Sequence, residues 1–251
     1  AKTESTNGKA IIEKYMAGKQ DFSMSYVIKN GEVFLTRTGD RYLGLEKDGL
    51  NKQCIGSISP SSFTNSYLSQ VHPKVVKMIK GVGIKNGSVF MQGFIDGNTV
   101  RFYDPGLRLP GTEYEKLLLK ATGINLMEQM IKLSLGETID TYNGKLKDAY
   151  LLGGKVSIQL LVSARAGTIK VFDGLEEISK HKSVITVAQR YFVGERVEKT
   201  GDVKQRICEI VILEDKDRAY ETVRWVQSKL VVLDENGENM IVSQFNAEVL
   251  L

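Results

Sequence analysis

Ser88–Gly111 reads SVFMQGFIDGNTVRFYDPGLRLPG, two apolar runs parted by a turn and closed by one acid, Asp104, with Arg108 just beyond. The polar residues of these runs are Gln92 and Asp104, twelve positions apart. A carboxylate on an apolar face has to be paired or bind a cation, so the hairpin is the first place to look for chemistry. Phe90, Gln92 and Phe94 share one face of the first strand; Val100, Phe102 and Asp104 share one face of the second. The two sets meet if the loop has three residues, with Ile95 paired to Thr99. In that register Gln92 faces Phe102 and stands diagonal to Asp104, roughly 7–8 Å away. A two-residue Asp-Gly turn would divide the apolar residues between faces and is rejected. The plain alternative is an edge hairpin whose Asp104 opens a turn before Pro105.

Outward from the hairpin, the composition is that of a globular protein. The 251 residues are 42% hydrophobic and 25% charged, which permits one large domain or two modest ones. Lys and Arg number 34 against 30 acids, and the two signs are interleaved, so there is no electrostatic footprint for nucleic acid. No apolar run reaches membrane-spanning length and no signal peptide opens the chain, which points to a cytoplasmic protein. Cys54 and Cys208 lie far apart without metal-ligand spacing and read as buried, reduced thiols. The chain opens without Met and reaches a strand signal at Ala10–Ile12 almost at once, which suggests a fragment or trimmed product.

Residues Phe22–Leu35 alternate around Asn30-Gly31, the strongest short hairpin signal. Gly44–Tyr67 reads as a long loop, and His72–Lys80 as a short helix. Thr112 with Glu115, and Asn125 with Glu128, form capping boxes for helices that Gly123 and Gly136 end. Beyond residue 150, strands are expected at Val156–Val162, Ile169–Phe172, Val184–Tyr191, Gln205–Leu213 and Val231–Leu233. Helices at Leu175–Lys180 and Arg218–Lys229 interrupt them. That order predicts an antiparallel sheet with helices on one face. Trp225 reads as core and His72 as a helix start. Asp40 and Arg41 either face a pocket or form a turn and a surface ion pair; Glu113 and Tyr114 are weaker candidates to line a pocket.

Several of these stretches together resemble the ATP-grasp ligases, in their carbamoyl-phosphate-synthetase-like and carboxylate–amine-ligase branches. IIEKYMAGKQDFSMSY is similar to the strand and hinge that hold adenine. The spacing of Gln92 and Asp104 is similar to that of the two metal-binding acids. DPGLR stands where the family shows acid–x–Asn–x–Arg, and GTIKVFDGLEEISK with SVITVAQRYFVGERVEKTGD resembles its C-terminal subdomain.

The resemblance implies an α+β ATP-grasp fold lacking its N-terminal part. Residues 1–150 would be the nucleotide- and metal-binding core and residues 151–251 an antiparallel α+β subdomain. It implies ATP and Mg²⁺ as cofactors and small-molecule carboxylate and amine substrates (a thiol acceptor stays open), with no nucleic acid or membrane partner. Glu13, Lys14, Tyr15 and Met16 would surround the adenine, and Asp21 would accept from the ribose hydroxyls. Asp104 and Gln92 would hold Mg²⁺, and Arg108 would stabilise charge on an acyl phosphate or substrate carboxylate. Gln92 in place of an acid and Gly106 in place of Asn depart from the pattern, and the family's glycine-rich loop does not appear. The missing loop implies that this stretch by itself is inactive; Gln92 and Gly106 favour a second reading, a non-catalytic nucleotide-binding or scaffold protein, and the intact Asp104 and Arg108 argue against it.

Overall fold

The computed structural model describes residues 5–44, 53–111, 113–138 and 142–251. Its centre is an eight-stranded sheet in the order β5-β4-β1-β2-β3-β6-β11-β9, antiparallel throughout. The strands are β1 (Asp21–Lys29), β2 (Glu32–Leu43), β3 (Cys54–Ser59), β4 (Gly87–Asp96), β5 (Thr99–Gly106), β6 (Val156–Ser163), β9 (Val184–Gln189) and β11 (Arg206–Glu214). Short strands β7 (Gly167–Thr168) with β10 (Arg196–Val197), and β8 (Val171–Asp173) with β12 (Val231–Leu233), form two small ribbons. The sheet runs across residue 150, because β3 pairs with β6.

Strand β1 shows why one face packs and the other does not. Phe22, Met24, Tyr26 and Ile28 point one way and are buried with Val89 and Met91 of β4. Asp21, Ser23 and Ser25 point the other way, as the two-residue period requires. The apolar face is covered by α1 (Thr64–Gln70) and α2 (His72–Val82) through Tyr67, Val71, Val75 and Ile79. Each such side chain contributes roughly 1.5–3 kcal/mol by leaving water. Further along the same face, Ile158, Leu160, Ile210 and Ile212 pack under α5 (Leu175–Ser179) and α6 (Ala219–Lys229). On the opposite face Val27, Val211 and Leu213 pack against α3 (Tyr114–Thr122), α4 (Leu126–Ser134) and a 3₁₀ stretch at Tyr142–Gly154. The two helices expected beyond residue 150 do lie on one face, as α5 and α6, and the other face, also apolar at that end, takes a second layer from α3, α4 and the 3₁₀ stretch.

The Asn30-Gly31 hairpin forms as expected, with φ of 50° and 82° at its two central residues. Asn125 caps α4 by accepting from the Glu128 N–H at 3.1 Å. Thr112 lies outside the described residues, and α3 starts after Glu113, which makes no side-chain cap. The long loop expected over Gly44–Tyr67 instead contains β3 and the start of α1; residues 45–52 lie outside the described residues. Ala10–Ile12 is not a strand. Ile11 and Ile12 are exposed, and an apolar run makes a strand only when a neighbour supplies its hydrogen bonds. Both cysteines are free and buried, and Trp225 packs against the core under α6.

The β4–β5 hairpin corrects the expected register. Asp96 pairs with Thr99, so the loop has two residues, Gly97 and Asn98. The parity is restored by a bulge: Gly93 pairs with Phe102 and Gln92 with Asp104, leaving Tyr103 as the extra residue of β5. Val100 joins the packed face, while Gln92 and Asp104 stand directly opposite each other on the other one. Gly93 is required at the bulge, since a Cβ there would lie 2.5 Å from Val100 Cγ1 and 2.6 Å from the Arg101 carbonyl oxygen.

Candidate functional site

The polar face of the sheet collects Asp21 from β1, Arg41 from β2, Gln92 from β4, and Tyr103 and Asp104 from β5. The lateral order β5-β4-β1-β2 sets these strands side by side, and the registers Asp21↔Arg41, Ser23↔Gln92 and Gln92↔Asp104 align them. Arg41 is the hub. Its Nη1 donates to Asp21 Oδ2 at 2.7 Å and to the Tyr103 hydroxyl at 2.7 Å, and that hydroxyl donates to Asp21 Oδ1 at 3.0 Å. Gln92, with its amide turned to satisfy both neighbours, accepts from Arg41 Nη1 at 2.7 Å and donates to Asp104 Oδ2 at 2.9 Å. Arg108 approaches the same Asp104 oxygen at 3.5 Å and lies 5.0 Å above the Phe90 ring.

Burial raises the Asp21 carboxyl above its ordinary pKa, against the pull of the Arg41 charge and the Tyr103 hydrogen bond. Burial also works against the Arg41 charge, but Cys54, Asp21 and Tyr103 together hold its pKa above the ordinary value. Tyr103 is raised, chiefly by burial. Arg41 thus stays a cation in the floor of the site.

A second guanidinium lies beneath. Arg37 is buried; its Nε donates to Ser59 Oγ at 3.1 Å and its Nη2 to Ser57 Oγ at 3.0 Å. It also lies 5.4 Å from the centre of the Tyr114 ring. Among the described residues no carboxylate pairs with it, and burial lowers its pKa.

The structure brings Asp21, Gln92, Asp104 and Arg108 to one place. Glu13, Lys14 and Met16 line an adjoining cleft of about 560 Å³ with Phe94, Arg101, Phe102 and Tyr103. This segment has no regular structure and Tyr15 is exposed. It is tied to the sheet where Lys19 meets Asp96 at 2.9 Å and Ile95 N–H donates to the Gln20 carbonyl at 2.9 Å. Asp40 points to the opposite face and holds a turn, accepting from Ser61 Oγ at 2.5 Å and the Ser62 N–H at 2.9 Å. Tyr114 is buried, its hydroxyl donating to the Thr36 carbonyl. Sequence reasoning left Arg41 undecided and missed Tyr103 and Arg37. The signal for the arginines was present: Arg37, Gly39 and Arg41 alternate on β2 as Asp21, Ser23 and Ser25 do on β1.

A divalent ion fits this donor set at one place. Asp104 Oδ1 accepts no hydrogen bond among the described residues, and Mg²⁺ is satisfied by one or two carboxylates with water and ligand phosphates. Gln92 does not offer its oxygen, which faces Arg41. Among the described residues no three His, Cys, Asp or Glu cluster as metal ligands.

The chain is similar to phosphoribosylglycinamide synthetase from Anaerococcus prevotii, with a TM-score of 0.72 at 14% identity over 90% of this chain and 55% of that one. It is also similar to L-amino acid ligase from Bacillus licheniformis, with a TM-score of 0.70 at 18% identity over 87% of this chain and 52% of that one. A third is the biotin carboxylase domain of Hydrogenobacter thermophilus 2-oxoglutarate carboxylase, solved with MgADP and bicarbonate. There the TM-score is 0.67 at 15% identity over 92% of this chain and 48% of that one. The fold is that of the ATP-grasp ligases. No protein-family model and no curated protein matches the sequence. The chain spans about half the length of these ATP-grasp structures. Among the described residues no helix is long and apolar enough to cross a membrane.

Proposed function

We propose that this chain serves an ATP- and Mg²⁺-dependent carboxylate–amine ligase that works through an acyl phosphate. The observation that carries this reading is the meeting of Asp21, Arg41, Gln92, Asp104 and Arg108 at one end of the polar sheet face of an ATP-grasp fold. The cleft beside Glu13, Lys14 and Met16 would take the adenosine, with the Tyr103 hydroxyl at its inner wall. Asp21 has both oxygens engaged by Arg41 and Tyr103, so its work in this reading is to hold Arg41 rather than to meet the ribose. Asp104 would hold Mg²⁺, which when bound would neutralise phosphate charge. Arg108 is half exposed beside Asp104 and has donors free to meet an acyl phosphate or a carboxylate.

The bonds balance without a nucleophilic side chain. A carboxylate oxygen takes the γ-phosphoryl group and ADP leaves. An amine then attacks the acyl carbon, inorganic phosphate departs, and the amine gives up a proton. Positioning and charge neutralisation carry such a transfer. One observation favours the second reading, a nucleotide-binding scaffold: Gln92 stands where a metal-binding acid is expected, and its oxygen is engaged by Arg41.

ADP release by the whole protein that requires both a carboxylate and an amine separates the two. Under the ligase reading Asp104→Asn lowers that turnover at least about a hundredfold while stability changes by less than about 0.5 kcal/mol. Turnover that survives the substitution removes Asp104 from the metal role. Nucleotide binding without turnover supports the scaffold.

A further inference from the structure

Gln92 is a neutral group set between a cation and an anion. It accepts from Arg41 at 2.7 Å on one side and donates to Asp104 at 2.9 Å on the other. A glutamate in its place could accept from Arg41, but it could not donate to Asp104 and would put two carboxylates side by side. The amide is the side chain that suits both neighbours. Arg41 itself is fixed by Asp21 and Tyr103, each at 2.7 Å.

A permanent cation therefore sits one hydrogen bond from the oxygen that a second metal ion would need. Arg37 reinforces it, since Arg37 Nη2 bonds Ser57, the β3 residue paired with Arg41. We infer that the Arg41 guanidinium, held by Asp21, takes the place of one divalent ion at the Gln92 oxygen, leaving Asp104 to hold a single ion. The inference builds on the nucleotide-site reading above, but its ion count can be tested without nucleotide.

The test is a Mn²⁺ titration of the whole protein without nucleotide, followed by electron paramagnetic resonance. The wild type, Asp104→Asn and the double variant Arg41→Ala/Gln92→Glu are compared, with circular dichroism to verify folding. With one Asp104 oxygen and no phosphate present, the expected result is at most one weakly held ion on the wild type, lost in Asp104→Asn, and at least about tenfold tighter uptake or a second ion in the double variant. Two wild-type ions that are both lost in Asp104→Asn overturn the inference, as does a folded double variant that binds no more tightly than wild type.

Should the double variant not fold, Gln92→Glu alone decides. With Arg41 still in place it gains no second ion, and a second ion there overturns the inference. Calorimetry with ADP keeps the two readings apart: absence of ADP binding under every condition refutes the nucleotide reading, and the ion count still decides the role of Arg41.

Discussion

Two regions of one sheet use their second faces differently. In the β6–β11 half, Ile158, Leu160, Ile210 and Ile212 pack under α5 and α6, and Val211 and Leu213 pack under α3 and the 3₁₀ stretch. In the β1–β2–β4 half, Phe22, Met24 and Met91 pack under α1 and α2, while the other face is covered by the second helical layer only as far as Val27 and carries Asp21, Arg37, Arg41 and Gln92 beyond it. A strand that packs on both sides has no room for chemistry. A strand that packs on one side can spend the other on charged groups, provided they hold one another in place. The site exists where the second helical layer stops.

That contrast can be broken first in the packed half. Ile210 is fully buried, so Ile210→Ala should lower the unfolding free energy by about 2–5 kcal/mol in denaturant titration. A loss under 1 kcal/mol would mean this half is not the anchor described here. On the polar face the expectation differs. Arg37→Met removes a buried charge that has no carboxylate partner among the described residues, so stability should hold or rise by about 1 kcal/mol. ADP affinity should fall in the same variant, and a large loss of stability would mark Arg37 as a structural group instead.

The smallest effect is expected between β1 and α2. The Tyr26 hydroxyl bonds both Tyr67 and His72 Nδ1, the latter at 3.1 Å, and burial lowers the His72 pKa below 6.5. The folded state thus prefers the neutral ring. Its contribution is complete above about pH 6.5 and is lost as pH falls through the lower folded-state value. The unfolding midpoint should fall modestly on acidification below that point, and His72→Gln should flatten the slope. An unchanged slope in the variant would assign the acid sensitivity elsewhere.

Much of the scaffold was legible because its signals are local. The Asn30-Gly31 turn, the Asn125 cap and the strands Val156–Val162 and Val231–Leu233 each depend on residues within a few positions. The β4–β5 register was not legible. A bulge at Tyr103 and a longer loop both bring Gln92 beside Asp104, and alternation alone does not distinguish them. The Ala10–Ile12 signal misled for the complementary reason, because hydrophobicity says nothing about whether a neighbouring strand is present.

By itself the sequence determined most of the strands and helices, though not β3 or α1, and that an amide and an acid share one hairpin face. Only the tertiary structure decided that Arg41 would be their companion. Gln92 and Arg41 are distant in the chain and become neighbours because β1 lies between β4 and β2. That lateral order comes from burying Phe22, Met24 and Tyr26 in the centre of the sheet. Such a choice depends on contacts between strands far apart along the chain, and no local pattern carries it.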